Sequence, residues 1–335
     1  MPSLFAQSKL SDLLEKVEKG ERLDVEAGVR MMDSQDILAL GYMANLVCKR
    51  KNGNQTYFIV NRHLDHTNNL QAFTLEIEEI VTAARNVRQE AITEINVESE
   101  LSSELPFDYY IAMLQRVKRI LPQVCIRSFT ALEVDYFTQT TGLSVTEVLQ
   151  RLIEAGLDSL LGSGSEVFSP RVRAESPEKK VSIARWLEIQ ESAHRLGMRT
   201  SATILYGHSE STEERIDHLL QLRTLQDKTG GFQTFIPYPF YPKTTKFEGT
   251  MGVGSTTGFE DLKMLAVSRI LLDNFDHIQA SWIMLGPKLA QVSLAFGVDD
   301  LETSQAMSKR ALIHVIQKAG RDAVERDTLY RVLRT

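Results

Sequence analysis

Cysteine is almost missing from this chain: Cys48 and Cys125 are the only two in 335 residues. That excludes a disulfide framework, and it excludes a thiolate-held metal cluster, which needs three or four ligands at short spacing. Two small buried apolar residues in a reducing compartment are the plain reading. Long apolar runs are missing as well. None approaches the roughly 18 to 20 residues of a membrane span, so no membrane segment is expected. Positive charge is not in excess: Lys and Arg number 38 against 44 Asp and Glu, a net charge of −6. This argues against a nucleic-acid partner and favours solubility. The opening run Met-Pro-Ser-Leu-Phe-Ala-Gln-Ser-Lys has no basic segment followed by an apolar block, so no secretory leader is expected and the location is read as cytoplasmic. Internal repeats, low-complexity tracts and linkers long enough to split domains are also absent. What remains is an ordinary globular composition, 43% hydrophobic and 24% charged, long enough to bury a large core.

Periodicity organises that chain. Leu10, Leu13, Leu14 and Val17 recur on one helical face, and Asp33-Ser34-Gln35-Asp36 offers a capped start to a helix through Ile37, Leu38, Leu40 and Met43. That helix ends in Lys49-Arg50-Lys51-Asn52-Gly53, a cationic last turn and a glycine stop. Beyond Gly53 short apolar strands alternate with helices. Strands are expected at 57–60, 94–97, 125–129, 159–161, 200–205, 233–236 and 280–284, with helices at 75–87, 107–121, 145–155, 183–196 and 212–226. Ser144 with Glu147, and Ser211 with Glu214, have capping-box spacing. Regular alternation of this kind means parallel β/α units. Residues 242–258 read as a long glycine-rich loop before the next helix. The expected fold is α/β, a partial TIM barrel at residues 54–301. A helical segment (1–53) precedes it, and a helical segment (302–335) packs on it.

An α/β barrel presents its chemistry where the strands end, at its C-terminal rim. The first strand runs into Val60-Asn61-Arg62-His63 and then Thr67-Asn68. The third ends in Phe129-Thr130-Ala131-Leu132-Glu133, the fourth in Leu161-Gly162-Ser163-Gly164-Ser165-Glu166-Val167-Phe168. The fifth ends in Leu205-Tyr206-Gly207-His208, and the sixth reads Gly230-Gly231-Phe232-Gln233-Thr234-Phe235-Ile236-Pro237. Read alone, Glu133 serves a ligand or caps a helix, and His208 serves as acid, base or ligand or is structural. His63, Asp65 and His66 carry only a weak metal-binding spacing, and no metal is expected.

Together with Trp282-Ile283-Met284-Leu285-Gly286-Pro287-Lys288 and the stretch Gly320-Arg321 to Tyr330, these motifs resemble the aminofutalosine (aminodeoxyfutalosine) synthase family. Its members are radical S-adenosylmethionine (SAM) enzymes of the futalosine route to menaquinone. The similarity runs from about residue 6 to residue 330 and implies a radical-SAM-type barrel. It also implies that the stretch from Val324 to Tyr330 belongs to a final helix. In that family the Thr-Asn pair leads into a Cys-x3-Cys-x2-Cys loop whose thiolates hold a [4Fe–4S] cluster. Here Asn69, Leu70, Gln71 and Ala72 stand where the resemblance implies a loop of roughly twenty residues, and none of them is cysteine. Glu98-Ser99 stands where the family has a Gly-Gly pair that lets backbone approach the cofactor. Ser163 and Ser165 replace two glycines of the fourth-strand loop, and a segment after Leu301 is absent.

By resemblance, the retained pocket positions are Asn61, His63, Asn68, Glu133, Glu166, Tyr206, His208 and Gln233. The cofactor-binding positions are altered at Glu98, Ser99, Ser163 and Ser165. The family's cofactors, SAM and [4Fe–4S], are not expected here. The expectation is a degenerate family member retained as a binding or partner protein, with a small-molecule ligand in the barrel mouth or a cluster-containing paralogue as partner. The alternative is an active transferase making aminofutalosine from SAM and 3-[(1-carboxyvinyl)oxy]benzoate, so enzymatic activity stays open.

Overall fold

A computed structural model describes residues 5–65, 93–98, 105–163, 166–175, 181–240, 256–303 and 308–334. Of residues 60–65, 98, 302, 303 and 334 it describes the backbone. Three helices come first: α1 (Ser11–Lys19), α2 (Val25–Asp33) and α3 (Ile37–Asn52). Leu13, Leu14 and Val17 of α1 are buried, as their spacing requires. Asp24 and Asp36 cap α2 and α3 by accepting the amides of Ala27 (2.9 Å) and Ala39 (3.0 Å). Helix α3 stops at Gly53, whose φ of +61° suits only a residue without Cβ.

The strands are β1 (Gln55–Asp65), β2 (Glu94–Glu98), β3 (Cys125–Ser128), β4 (Thr200–Tyr206), β5 (Phe232–Pro239), β6 (His277–Ala280), β7 (Asp300–Thr303), β8 (Asp322–Arg326) and β9 (Val332–Arg334). They follow the order β3-β2-β1-β7-β6-β5-β4, every pair parallel. The two ends of that path are joined by residues 158–162. Arg127 of β3 forms a parallel bridge with Ser159, and the Leu161 amide donates to the Phe129 carbonyl at 2.9 Å. On the other side the Thr203 hydroxyl of β4 donates to the Gly162 carbonyl at 2.9 Å. A Cβ at Gly162 would lie 2.7 Å from the Ser201 carbonyl oxygen, so this close approach requires glycine. The result is an α/β barrel with one thin seam.

Helices cover the outside: α4 (Phe107–Ile120), α5 (Ala131–Thr141), α6 (Val145–Ala155), α7 (Pro170–Glu175), α8 (Ile183–Arg195), α9 (Thr212–Thr229), α10 (Gly258–Leu271), α11 (Trp282–Ser293) and α12 (Lys309–Lys318). Capping boxes start α6 at Ser144 and α9 at Ser211, as the spacing indicates, and also α5 at Thr130 and α10 at Thr257. The outer core is apolar and aromatic. Phe232 lies between Trp186 and Phe275, and Phe129, Tyr110 and Phe137 pack edge to tilted face beneath α4 and α5.

Two expectations are corrected. The strand placed at 280–284 is β6, which ends at Ala280, and Trp282 opens helix α11 instead. Residues 302–335 are not wholly helical: α12 is followed by β8, and Val324, Glu325 and Arg326 lie in that strand rather than in a final helix. Ala, Glu and Arg favour a helix locally, but β8 pairs with residues 55–58 of β1, and that contact is invisible to local pattern. The helix expected at 75–87 lies outside the described residues.

Candidate functional site

The C-terminal ends of the strands gather the residues of interest. In β1, Asn61 and His63 lie opposite Glu94 and Asn96 of β2, and Asp65 lies opposite Glu98. The side chains of Asn61, His63 and Glu98 lie outside the described residues, as do Asn68, Ser99 and Ser165 altogether. At the end of β3, Phe129 takes a φ of +60° while fully buried, a strained conformation for a bulky residue. It turns the chain sharply into α5. There the Thr130 amide donates to Glu133 Oε2 at 2.5 Å and the Thr130 hydroxyl accepts from the first turn. Glu133 is thus a helix-capping carboxylate in the described contacts.

After the seam, Ser163 is exposed in a turn. Glu166 stands 3.9 Å from an Arg173 guanidinium nitrogen. Burial lowers the Arg173 pKa, and the Glu166 charge opposes that shift. The loop between them is pinned from behind. Nδ1 of His218 accepts the Phe168 amide at 3.2 Å, and Nε2 donates to the Thr203 carbonyl at 3.0 Å. That assignment keeps the ring neutral, and burial pushes its pKa down to about 3. Ser169 donates to Glu214 at 2.6 Å, and Arg171 grips the same carboxylate.

Strand β4 ends in Tyr206, whose side chain turns into the helical layer. Its hydroxyl donates to Asp261 Oδ1 of α10 at 2.7 Å, and burial raises the Asp261 pKa. His208 follows in a tight loop. Its Nε2 lies 3.1 Å from the Leu205 carbonyl and its Nδ1 3.4 Å from the Ser209 hydroxyl. Nε2 therefore faces the end of β4 and Nδ1 its own loop. The Glu210 side chain, fully buried, organises that loop, accepting from the Gly207 amide (2.5 Å), the His208 amide (3.0 Å) and Arg215 Nε (2.7 Å). Gln233 is buried in β5 at the bulge where Thr200 pairs with Phe232 but Ser201 with Thr234.

The structure thus brings the β3 end and the 158–162 seam side by side, with β4 next. It sets Glu133, Tyr206 and His208 to holding caps and loops. Sequence reasoning missed Arg173, Glu210, Arg215, His218 and Asp261. None sits in a local pattern that marks it, apart from Glu210, which follows His208 by two residues. Cys48 is buried in α3 with its sulfur 4.0 Å from the Val298 carbonyl. Cys125 opens β3, at the end of the barrel away from the rim. Burial raises both thiol pKa values. Among the described residues no three His, Cys, Asp or Glu side chains are grouped as a metal site, and no helix is long and apolar enough to cross a membrane.

Comparison with known proteins gives the following. A family model described as "CofH/MqnC C-terminal region" matches residues 229–323. The chain is 39% identical over 358 aligned positions to aminodeoxyfutalosine synthase of Thermus thermophilus, covering 97% of this chain and 96% of the relative. It is 37% identical to the protein of the same name from Streptomyces coelicolor, covering 96% and 94%. In shape it is similar to the FeFe-hydrogenase maturase HydG from Carboxydothermus hydrogenoformans, with a TM-score of 0.72 at 17% identity, covering 97% and 81%. The first alignment spans 358 positions against 335 residues, so at least 23 positions of the relative have no residue of this chain opposite them.

Proposed function

The chain belongs to the aminodeoxyfutalosine synthase family of radical SAM enzymes, and from that membership we propose a member that keeps the barrel without the iron–sulfur centre and acts as a binding or partner protein. One observation carries this reading: the thiols. A [4Fe–4S] cluster needs three closely spaced thiolates. This chain has two cysteines, one inside a helix of the N-terminal segment and one at the wrong end of a strand, both buried. The residues present do not fit the cluster, and no reaction step is drawn through it. The 358-position alignment against 335 residues accords with a chain shorter than that relative.

The proposed ligand is a small molecule in the barrel mouth, held from Asn61, His63, Asn68, Glu166 and Gln233. Glu133, Tyr206 and His208 shape the wall behind it. By resemblance, Glu98, Ser99, Ser163 and Ser165 stand where the family holds SAM and are altered from its glycines. The proposed partner is a cluster-containing paralogue in the cytoplasm, within the futalosine route to menaquinone.

Anaerobic reconstitution of the full chain with iron and sulfide tests this. The expected protein stays colourless and forms no 5′-deoxyadenosine from SAM under reduction. A brown protein that cleaves SAM overturns the proposal. Identity of 39% across nearly the whole chain favours a second reading, a working transferase that makes aminofutalosine. Product formation from SAM and 3-[(1-carboxyvinyl)oxy]benzoate would establish it.

A further inference from the structure

The floor of the barrel is built unlike its walls. Strand β1 is flanked on one side by two partners in succession: β2 pairs with residues 61–65 and β8 with residues 55–58. The hairpin β8–β9 therefore lies beneath β2, across the N-terminal end of the barrel. Its attachment is polar. Val324 is the only apolar residue of 322–334 that is buried, whereas Glu325, Arg326, Asp327 and Thr328 all are. Leu329, Val332 and Leu333 face solvent.

Two barrel carboxylates hold this hairpin. Asp300 opens β7, fully buried, and takes both arms of the buried Arg326 guanidinium, one of them at 3.2 Å. The Tyr330 hydroxyl donates to the same carboxylate at 2.5 Å, and Gln279 of β6 donates at 3.1 Å. Glu94 opens β2 and accepts the Thr328 hydroxyl at 2.8 Å. Its other oxygen lies 3.3 Å from Arg127, which reaches on to the Ser201 hydroxyl of β4 at 2.9 Å. Tyr330 is held at a φ of +58°. Its ring lies flat on His277, centroids 3.7 Å apart, with the Arg326 guanidinium 4.0 Å from its centroid. A strained residue persists only where its surroundings over-determine it. The hairpin also braces itself: Asp327 accepts from the Leu329 and Arg331 amides, and Lys309 of α12 pairs with Glu325 at 2.5 Å.

We propose that residues 322–334 are a strap whose docking, read by Asp300 and Glu94, closes the barrel floor, and that undocking releases β1, β2 and β7 together. The inference stands apart from the proposed function. An element held by apolar area yields gradually as contacts are trimmed. One held by charge-assisted bonds to buried carboxylates yields as a unit, because losing one partner leaves a desolvated charge behind. Gly320, at a φ of +75°, marks the turn from α12 into the strap, and Arg321 anchors it to the Asn45 side chain and the Leu294 carbonyl.

The test compares full-length Arg326→Met, Asp300→Asn and the double variant by thermal melting and by hydrogen exchange read by mass spectrometry. Each single variant is expected to lower the melting temperature by roughly 5–10 °C, and the double variant to lose less than the two losses combined. Exchange in Arg326→Met is expected to rise in residues 55–58 and 94–97 along with 322–326. Additive losses, or faster exchange confined to 322–334, would overturn the proposal. A single variant that does not fold is covered by the double variant, whose recovery supports the lock and whose equal failure counts against it.

Discussion

The two ends of this barrel use carboxylates in opposite ways. At the N-terminal end, Asp299 and Asp300 are adjacent and both fully buried, and they serve different layers. Asp299 takes Arg269 of α10, His277 Nδ1 at 2.6 Å, the Asn52 amide group at 2.9 Å and the Ile278 amide at 2.8 Å. Burial works against its charge, yet Arg269 and His277 hold its pKa below the usual range. Asp300 takes the strap. At the C-terminal end, Glu133, Glu210 and Glu214 cap helix starts and loops, each within a few residues of its backbone partner. The floor is thus tied by long-range charge pairs, whereas at the rim Glu133 and Glu210 serve backbone a few residues away, and Glu214 both caps α9 and takes Ser169 and Arg171 from farther along the chain. A carboxylate at a strand end is therefore not by itself a ligand group. At Glu133 and Glu210 the local backbone already makes use of it.

That contrast breaks most readily at the floor. Arg269→Met leaves Asp299 buried with its main cation gone and should cost about 3–5 kcal/mol, read as a lower urea midpoint. A loss near zero would mean that His277 and Asn52 suffice, and the contrast between the ends would fade.

Acid should come next. His194, between the hydroxyls of Thr229 and Thr200 at 2.8 Å each, has its pKa pushed down by burial to about 4, and His218 to about 3. Both stay neutral in the folded protein, while the unfolded chain takes up protons below about pH 6.5. The unfolded state then binds more protons, so stability is full above that pH and falls as pH drops toward the folded values. At pH 5 each histidine should cost about 2 kcal/mol. Urea unfolding at pH 7 and pH 5 measures this, and His218→Gln should remove about half of the difference. An unchanged slope in that variant would show that the loop carrying Phe168 is not held by a neutral ring.

At the rim, Glu133→Ala should lose about 1 kcal/mol, the usual cost of an N-terminal cap. A loss of several kcal/mol would reveal a long-range role and bring the rim closer to the floor. Smallest of all is Arg22→Ala. Its exposed guanidinium meets Asp227 at 2.6 Å and Asp273 at 2.8 Å, a surface network worth at most about 1 kcal/mol and weakened by salt.

Much of the fold was legible in the order of residues. The stops at Gly53, Gly156, Gly197 and Gly230 and the boxes at Ser144 and Ser211 mark helix ends through bonds a few residues long, so residue order suffices to place them. The strand expected at 159–161 is legible too, though it survives only as a single bridge inside the seam. The candidate site was legible as positions, not as roles. Glu133 could be read as cap or ligand until its distance to the Thr130 amide was known, and nothing local says that Tyr206 turns outward to Asp261.

Residue order alone settled the parallel β/α alternation and the shortage of thiols, because periodicity and composition are properties of the chain in any conformation. Tertiary structure alone decided that residues 322–334 would pair as strands beneath β2 and that Arg326 would meet Asp300. Those contacts join residues far apart in sequence, and their strength comes from burial, which no stretch of sequence possesses before the chain has folded.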